Sequence, residues 1–205
     1  MAADAETLDL VALICSRLCH DLAGAVGAVN NGIELLAEET DPAMRDEAIG
    51  LIAQSGSDAA RRLAFFRHAL GASGSMDEPM ALADLARVAQ AYFAGGKVAV
   101  SLPVEAGEIA KPLGKALLLL LALATQALAR GGDLALTRDG SGWRIAGRGP
   151  MLRWPEPVTA ALAGGDWPRE PQAALARYAL RLASLAGCRV AVQTGETEIA
   201  LVLSA

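Results

Sequence analysis

His20 is the residue in this chain best suited to carry chemistry, because its neighbours present it as a nucleophile. In the run Cys19-His20-Asp21-Leu22-Ala23-Gly24-Ala25-Val26-Gly27-Ala28-Val29-Asn30-Asn31-Gly32, apolar or small residues recur in alternating steps of four and three. The pattern Val11, Cys15, Leu18, Leu22, Ala25, Val29, Gly32, Leu36 is the seam of a bundle helix. His20 falls two residues from both Leu18 and Leu22, which at roughly 100° per residue turns its ring to water. Ala23, Gly24 and Gly27 follow on the same stripe and leave the ring nearly bare. A partner could approach closely there. A helix-interior glycine costs about 1 kcal/mol relative to alanine, so two of them beside one histidine call for a reason. Asp21 supplies an adjacent carboxylate, and Arg17 stands one turn back. An exposed imidazole in this setting is a candidate carrier of a phosphoryl group, whereas an ordinary surface histidine and glycines that serve helix packing are the plainer alternatives.

Stepping outward, the chain has 205 residues, enough for one large or two small cores. A 53% hydrophobic share with 20% charged residues excludes general disorder. The net charge of −5 argues against a nucleic-acid surface and leaves proteins or small molecules as partners. Three cysteines without a disulfide spacing, and no basic-plus-apolar leader, lead us to expect a reducing cytoplasm. The apolar run from Ala116 to Ala129 is too short and interrupted for a membrane span of about 20 residues. We expect no membrane association.

The elements that would hold His20 are two long helices. The first is predicted from about Ala5 to Glu39, and Asp41-Pro42 supplies a cap and first-turn proline for the second. Ile49, Ile52, Gly56, Ala59, Leu63, Phe66 and Leu70 form the second seam, with Gly71 at its stop. Folding at Thr40 brings His20 level with Arg61 and Arg62, whose charges could offset a phosphorylated ring or simply be solvated. Arg67 and His68 read as surface residues. A lone pair of helices this long leaves apolar surface uncovered, so a homodimer forming a four-helix bundle is expected.

Gly71-Ala72-Ser73-Gly74-Ser75-Met76-Asp77-Glu78-Pro79 reads as a linker between a hairpin domain, residues 1–72, and a second domain, residues 80–205. The second half is predicted to hold helices from Ala81 to Ala94, Pro112 to Ala129, Glu156 to Ala163 and Gln172 to Leu185, with Gly131-Gly132 ending the second of these. Its strands are Val98 to Leu102, Leu134 to Thr137, Trp143 to Ala146, Arg189 to Gln193 and Glu198 to Leu203, with a hairpin turn at Asp139-Gly140-Ser141-Gly142 and another at Gly195-Glu196. Helices over one face of a mostly antiparallel sheet make an α/β sandwich, and the whole chain is α+β. Trp143, Trp154 and Trp167 read as packing residues.

With these residues in place, the chain resembles the ChpT-type histidine phosphotransferases of alphaproteobacteria, which look like degenerate histidine kinases. The likeness runs through His20-Asp21-Leu22, Gly27-Ala28, Asn30-Asn31-Gly32 and Glu34-Leu35-Leu36, then Arg62-Leu63, Phe65-Phe66-Arg67 and Ala69-Leu70-Gly71. Ala25 departs from it, since a proline is common there. The resemblance implies His20 as phosphoacceptor and Asp21 as the group that orients the ring or takes its proton; the docking surface expected around them comprises Arg17, Gly24, Gly27, Asn31, Arg61 and Arg62. It implies receiver domains as partners, one on a hybrid histidine kinase and others on response regulators. Magnesium is expected on the receiver, and no cofactor or metal on this chain.

It also implies a second half resembling a kinase ATP-binding domain without its chemistry. Leu119 to Ala124 lacks the metal-holding asparagine, Gly147-Arg148-Gly149-Pro150-Met151 puts glycine where an adenine-reading aspartate stands, and Trp167-Pro168-Arg169-Glu170-Pro171-Gln172 replaces a Gly-rich phosphate loop. Three other readings stay open: an autophosphorylating kinase, a purely structural dimerisation module, and a metal or redox site built from Cys15, Cys19, His20 and His68.

Overall fold

A computed structural model describes residues 2–72, 75–103 and 106–205, and side chains from residue 5 onward. Part of the predicted linker, Ser73-Gly74, lies outside the described residues. The chain is α+β: a helical hairpin, α1 (Ala2–Glu38) and α2 (Pro42–Ala69), precedes an α/β sandwich. The hairpin turn is held from both sides. Asp41 accepts from the backbone N–H of Ala43 at 2.8 Å, capping α2, and Arg45 donates to the carbonyls of Leu36 and Glu39, each at 2.8 Å, closing the end of α1.

The seam between the helices keeps part of the predicted one and departs from it elsewhere. Val11, Cys15, Ile49 and Leu63 are exposed, while Ile14, Asp21 and Ala28 of α1 and Ala48 and Ser55 of α2, which the pattern did not include, are buried or half-buried beside the predicted Leu18, Ala25, Gly32, Ala59 and Phe66. The cause is that α1 has two apolar stripes, and the chain packs on the one with the smaller residues. A Cβ at Gly32 would lie 2.6 Å from the Ile52 side chain, so the backbones meet closely there. The other stripe, Leu8, Val11, Val26 and Ile33, faces outward, as do Ile49 and Leu63 of α2. By length and composition, residues 5–38 would also suffice to cross a membrane, a property the sequence reading did not assign to this helix.

The second half is built on α4 (Lys111–Gln126), whose leucines from 117 to 121 are all buried, so the helix is covered on every side. Around it lie α3 (Leu82–Phe93), α5 (Glu156–Leu162), α6 (Pro171–Leu185) and a five-stranded sheet. The sheet order is β2 (Val98–Ser101), β4 (Gly132–Asp139), β5 (Gly142–Arg148), β7 (Ile199–Ser204), β6 (Arg189–Thr194), with only β2 and β4 parallel. Asp139 pairs with Gly142 across a two-residue turn, where Gly140 has φ +58°. The predicted halt at Gly131-Gly132 is corrected: α4 stops at Gln126, Gly131 lies in the turn that follows, and Gly132 opens β4. A Cβ at Gly132 would collide with the Arg148 carbonyl and one at Gly131 would come within 2.6 Å of the Lys97 carbonyl. A small ribbon of β1 (Pro79–Ala81) with β3 (Glu108–Ala110) was not anticipated.

Both halves share one apolar core. Leu10, Phe65, Phe66 and Ala69 of the hairpin are buried with the leucines of α4 and the side chains of α3 and α6. At the N-terminal end of α1, Glu6 accepts from Trp167 Nε1 at 3.4 Å and pairs with Arg181 at 2.9 Å and Arg177 at 3.5 Å, while Asp9 meets Arg169 at 3.5 Å. At the other contact, the buried Lys115 donates to the Gly71 carbonyl just past the end of α2. Burial and the neighbouring Lys111 charge hold the Lys115 ammonium below its ordinary value.

Candidate active site

His20 stands in the middle of α1 on the side away from the exposed apolar stripe, and its side chain is 82% exposed. The outward orientation expected from the seam is present. Its Nδ1 lies 3.3 Å from Asp21 Oδ1, and the other carboxylate oxygen, Oδ2, accepts from Arg17 Nε at 2.8 Å. Asp21 is only 8% exposed although its neighbour is open to water. The carboxylate is therefore held on one side by an arginine and offers its other oxygen to the ring. With Nδ1 so engaged, Nε2 is the nitrogen left facing solvent.

Beside the ring, a shallow cavity of about 380 Å³ is lined by His20, Asp21, Gly24, Ala25, Ala28, Ser55, Asp58 and Arg62. Of the residues singled out from the sequence, this brings together His20, Asp21, Gly24 and Arg62, with Arg17 behind Asp21. Beyond the adjacent residues and the backbone of α1 itself, nothing stands within 4 Å of a Cβ placed on Gly24 or Gly27, so both glycines border open space rather than a packed neighbour. That removes helix packing within this chain as their reason. Arg61 is not in this cavity. It pairs with Asp58 and donates to Ser57 Oγ at 3.1 Å, and it lines a second cavity, of about 410 Å³, between α2 and the α3–β2 turn. Arg62 and Asp58 border both cavities. Asn31 is exposed further along α1 and lines neither.

Ser55 and Asp58 were missed in the sequence, although Ser55, Asp58 and Arg62 are spaced by three and four and so share a face of α2. Cys15 and Cys19 are both exposed rather than seam residues, and among the described residues no group of three or more His, Cys, Asp or Glu side chains is arranged to hold a metal.

Residues 82–198 match the family described as the histidine phosphotransferase C-terminal domain. The chain is 37% identical to the protein phosphotransferase ChpT of Brucella abortus (strain 2308) over 203 residues, covering 95% of this chain and 94% of that protein. This chain belongs to the histidine phosphotransferase family. Among solved structures, a bacterial phosphotransferase at 32% identity superposes with a TM-score of 0.86 and covers 96% of each chain. A histidine kinase domain from the blue-light activated kinase of Erythrobacter litoralis EL346 is more distant, at 13% identity and a TM-score of 0.46 over 88% of this chain and 93% of that one.

The family match lies wholly in the second half, whereas His20 and the cavity beside it lie in the first. In this histidine phosphotransferase two segments of the second half pack closely on other parts of the chain. Gly149 approaches the Gly131 carbonyl so closely that a Cβ would sit 2.5 Å from it, and the segment around Trp167 and Arg169 is docked on α1.

Proposed function

We propose that the protein relays a phosphoryl group through His20 between receiver-domain aspartates, without using ATP. The observation that carries this reading is an 82%-exposed imidazole whose Nδ1 faces a carboxylate held by Arg17, inside a chain of the histidine phosphotransferase family. A donor receiver brings an acyl phosphate on its own aspartate. Nε2 of His20 attacks phosphorus, the N–P bond forms as the P–O bond to the aspartate breaks, and the carboxylate leaves with the bonding pair. Asp21 stabilises the positive charge that develops on the ring or takes the Nδ1 proton. In the return step an acceptor aspartate attacks the same phosphorus and the imidazole leaves.

Arg62, in the cavity beside His20, is the cation placed to meet the transferred group's charge, whereas Arg61, already paired with Asp58, contributes to the docking surface at one remove. Gly24 and Gly27 admit a receiver helix, and Asn31 and Arg17 extend the same face. Magnesium belongs to the receiver, and this chain holds no cofactor of its own in the reading. Donor and acceptor are assigned as the receiver of a hybrid histidine kinase and those of response regulators. The outward stripes Val11, Val26 and Ile33 on α1 and Ile49 and Leu63 on α2 support a homodimer in which two hairpins form a four-helix bundle. Such a dimer covers the face away from His20 and leaves the ring accessible. Free thiols at Cys15, Cys19 and Cys188 accord with a reducing cytoplasm.

The test is incubation with a receiver domain carrying labelled phosphoaspartate. Wild-type protein is expected to take acid-labile label and His20→Gln none. Equal label on both would move the carrier elsewhere, and saturable ATP binding with self-labelling would replace the relay by a kinase.

A further inference from the structure

Asp21 presents a puzzle of exposure. Its neighbour His20 is 82% exposed and its partner Arg17 is 21% exposed, yet the Asp21 side chain is 8% exposed. Asp21 faces α2, and the end of the second half's α3 packs on that same helix. In the last turn of α3, Tyr92 lays its ring flat on Phe65, with centroids 3.9 Å apart and planes at 20°, and Phe93 meets its edge at 4.9 Å. Phe65 is fully buried and lies three residues beyond Arg62 on α2. The close contact of Gly32 with Ile52 sets the hairpin register, and stepping back along it puts Phe65 at the height of Arg17. Tyr92 also lines the 410 Å³ cavity with Asp58 and Arg62, the two residues that border the His20 cavity as well. The charges of Asp21, Arg62 and Arg17 all reach the phenol: burial and Asp21 push its hydroxyl up, and the two arginines oppose this.

We propose that Tyr92 is a positioning residue for the phosphoacceptor: its ring, supplied by the C-terminal half, covers the Asp21–Arg17 pair against water and thereby fixes the carboxylate that engages His20 Nδ1. The inference rests on His20 being the carrier. It gives the second half a task at the reacting histidine that needs no nucleotide. A carboxylate shielded in this way interacts more strongly with the Nδ1 proton than a hydrated one, so the ring is kept in the tautomer with Nε2 unprotonated and outward.

The full-length chain with 15N-labelled histidine reports the tautomer directly, and a phosphorylated receiver reports transfer. Tyr92→Ala is expected to lower the Nδ1-protonated population of His20 and to slow transfer by about tenfold, while Tyr92→Phe, which keeps the ring, restores both. Asp21→Asn should do the same as Tyr92→Ala, and the double variant should be no slower than Asp21→Asn alone, because both changes act through one carboxylate. A folded Tyr92→Ala with unchanged tautomer and rate overturns the inference, as do losses that multiply in the double variant. Where alanine unfolds the chain, Tyr92→Leu keeps bulk without the flat stack and is read in the same way. The tautomer measurement needs no receiver, so absence of label on wild-type His20 would defeat the relay while leaving the Tyr92–Asp21 coupling separately readable.

Discussion

Helices α1 and α4 both carry rows of apolar residues and use them in opposite ways. In α4 the leucines from 117 to 121 are completely enclosed, whereas α1 shows Leu8, Val11, Val26 and Ile33 to the outside and packs within the chain through Ala25, Ala28 and Gly32. An enclosed helix stabilises its own domain through burial. An open one keeps apolar surface for something else to cover and polar surface for something else to visit. The contrast teaches that burial and exposure of apolar residues are divided between helices, which meet in one core at Leu10, Phe65 and Phe66.

The sharpest way to break that contrast is Gly24→Leu. The position borders open space, so the fold should tolerate a side chain there, yet phosphotransfer from a receiver should fall by about a hundredfold because the approach to Nε2 is blocked. Normal transfer rates would show that no partner comes close at this glycine. A core truncation acts the other way round. Leu120→Ala should lower stability by about 3 kcal/mol in denaturant titration, while Leu63→Ala, on the exposed stripe, should stay within about 0.5 kcal/mol yet shift a dimer towards monomer in sedimentation. Unchanged sedimentation would remove Leu63 from the subunit contact. Gly27→Ala should raise stability by about 0.5–1 kcal/mol, read as a higher melting temperature, since the new methyl meets nothing and the helix gains propensity.

The smallest expected effect concerns acid. Trp167 and the Arg181 and Arg177 charges hold the Glu6 carboxyl below its ordinary value of 4.5. A depressed carboxylate contributes stability above its unfolded value and loses it as pH falls through the folded one, so the contact of α1 with α6 should weaken below about pH 4.5. Hydrogen exchange over residues 5–10 should rise in that window in the wild type. Glu6→Gln should exchange faster already at neutral pH and show no such rise.

Much of the second half was legible because its signals are local. Asp139-Gly140-Ser141-Gly142 marks a hairpin, Pro112 opens a helix, and a leucine run between turns implies an enclosed helix. The ribbon of β1 and β3 escaped because each strand is three residues long and the pairing crosses a whole helix and strand. His20 and its small neighbours were legible from periodicity, and so was the approximate height of Arg62. The hairpin seam was legible only in part: Leu18, Ala25, Gly32, Ile52 and Phe66 turn inward as the periodicity predicts, whereas Val11 and Leu63 fit the same heptad and stay outside. Tyr92 carries no local signal at all: it is one aromatic in an amphipathic helix, and its relation to Asp21 exists only once α3 rests on α2.

Glu6, Asp9, Trp167 and Arg169 fasten the first turns of α1 to the loop before α6, and Lys115 fastens the far side by gripping Gly71. Tied at both places, the sandwich has little freedom to travel along the stalk. In the proposed relay, a donor and an acceptor that arrive in turn meet the same seat. Discrimination between visitors must then be written on the visitors themselves, in how well each fits a fixed seat.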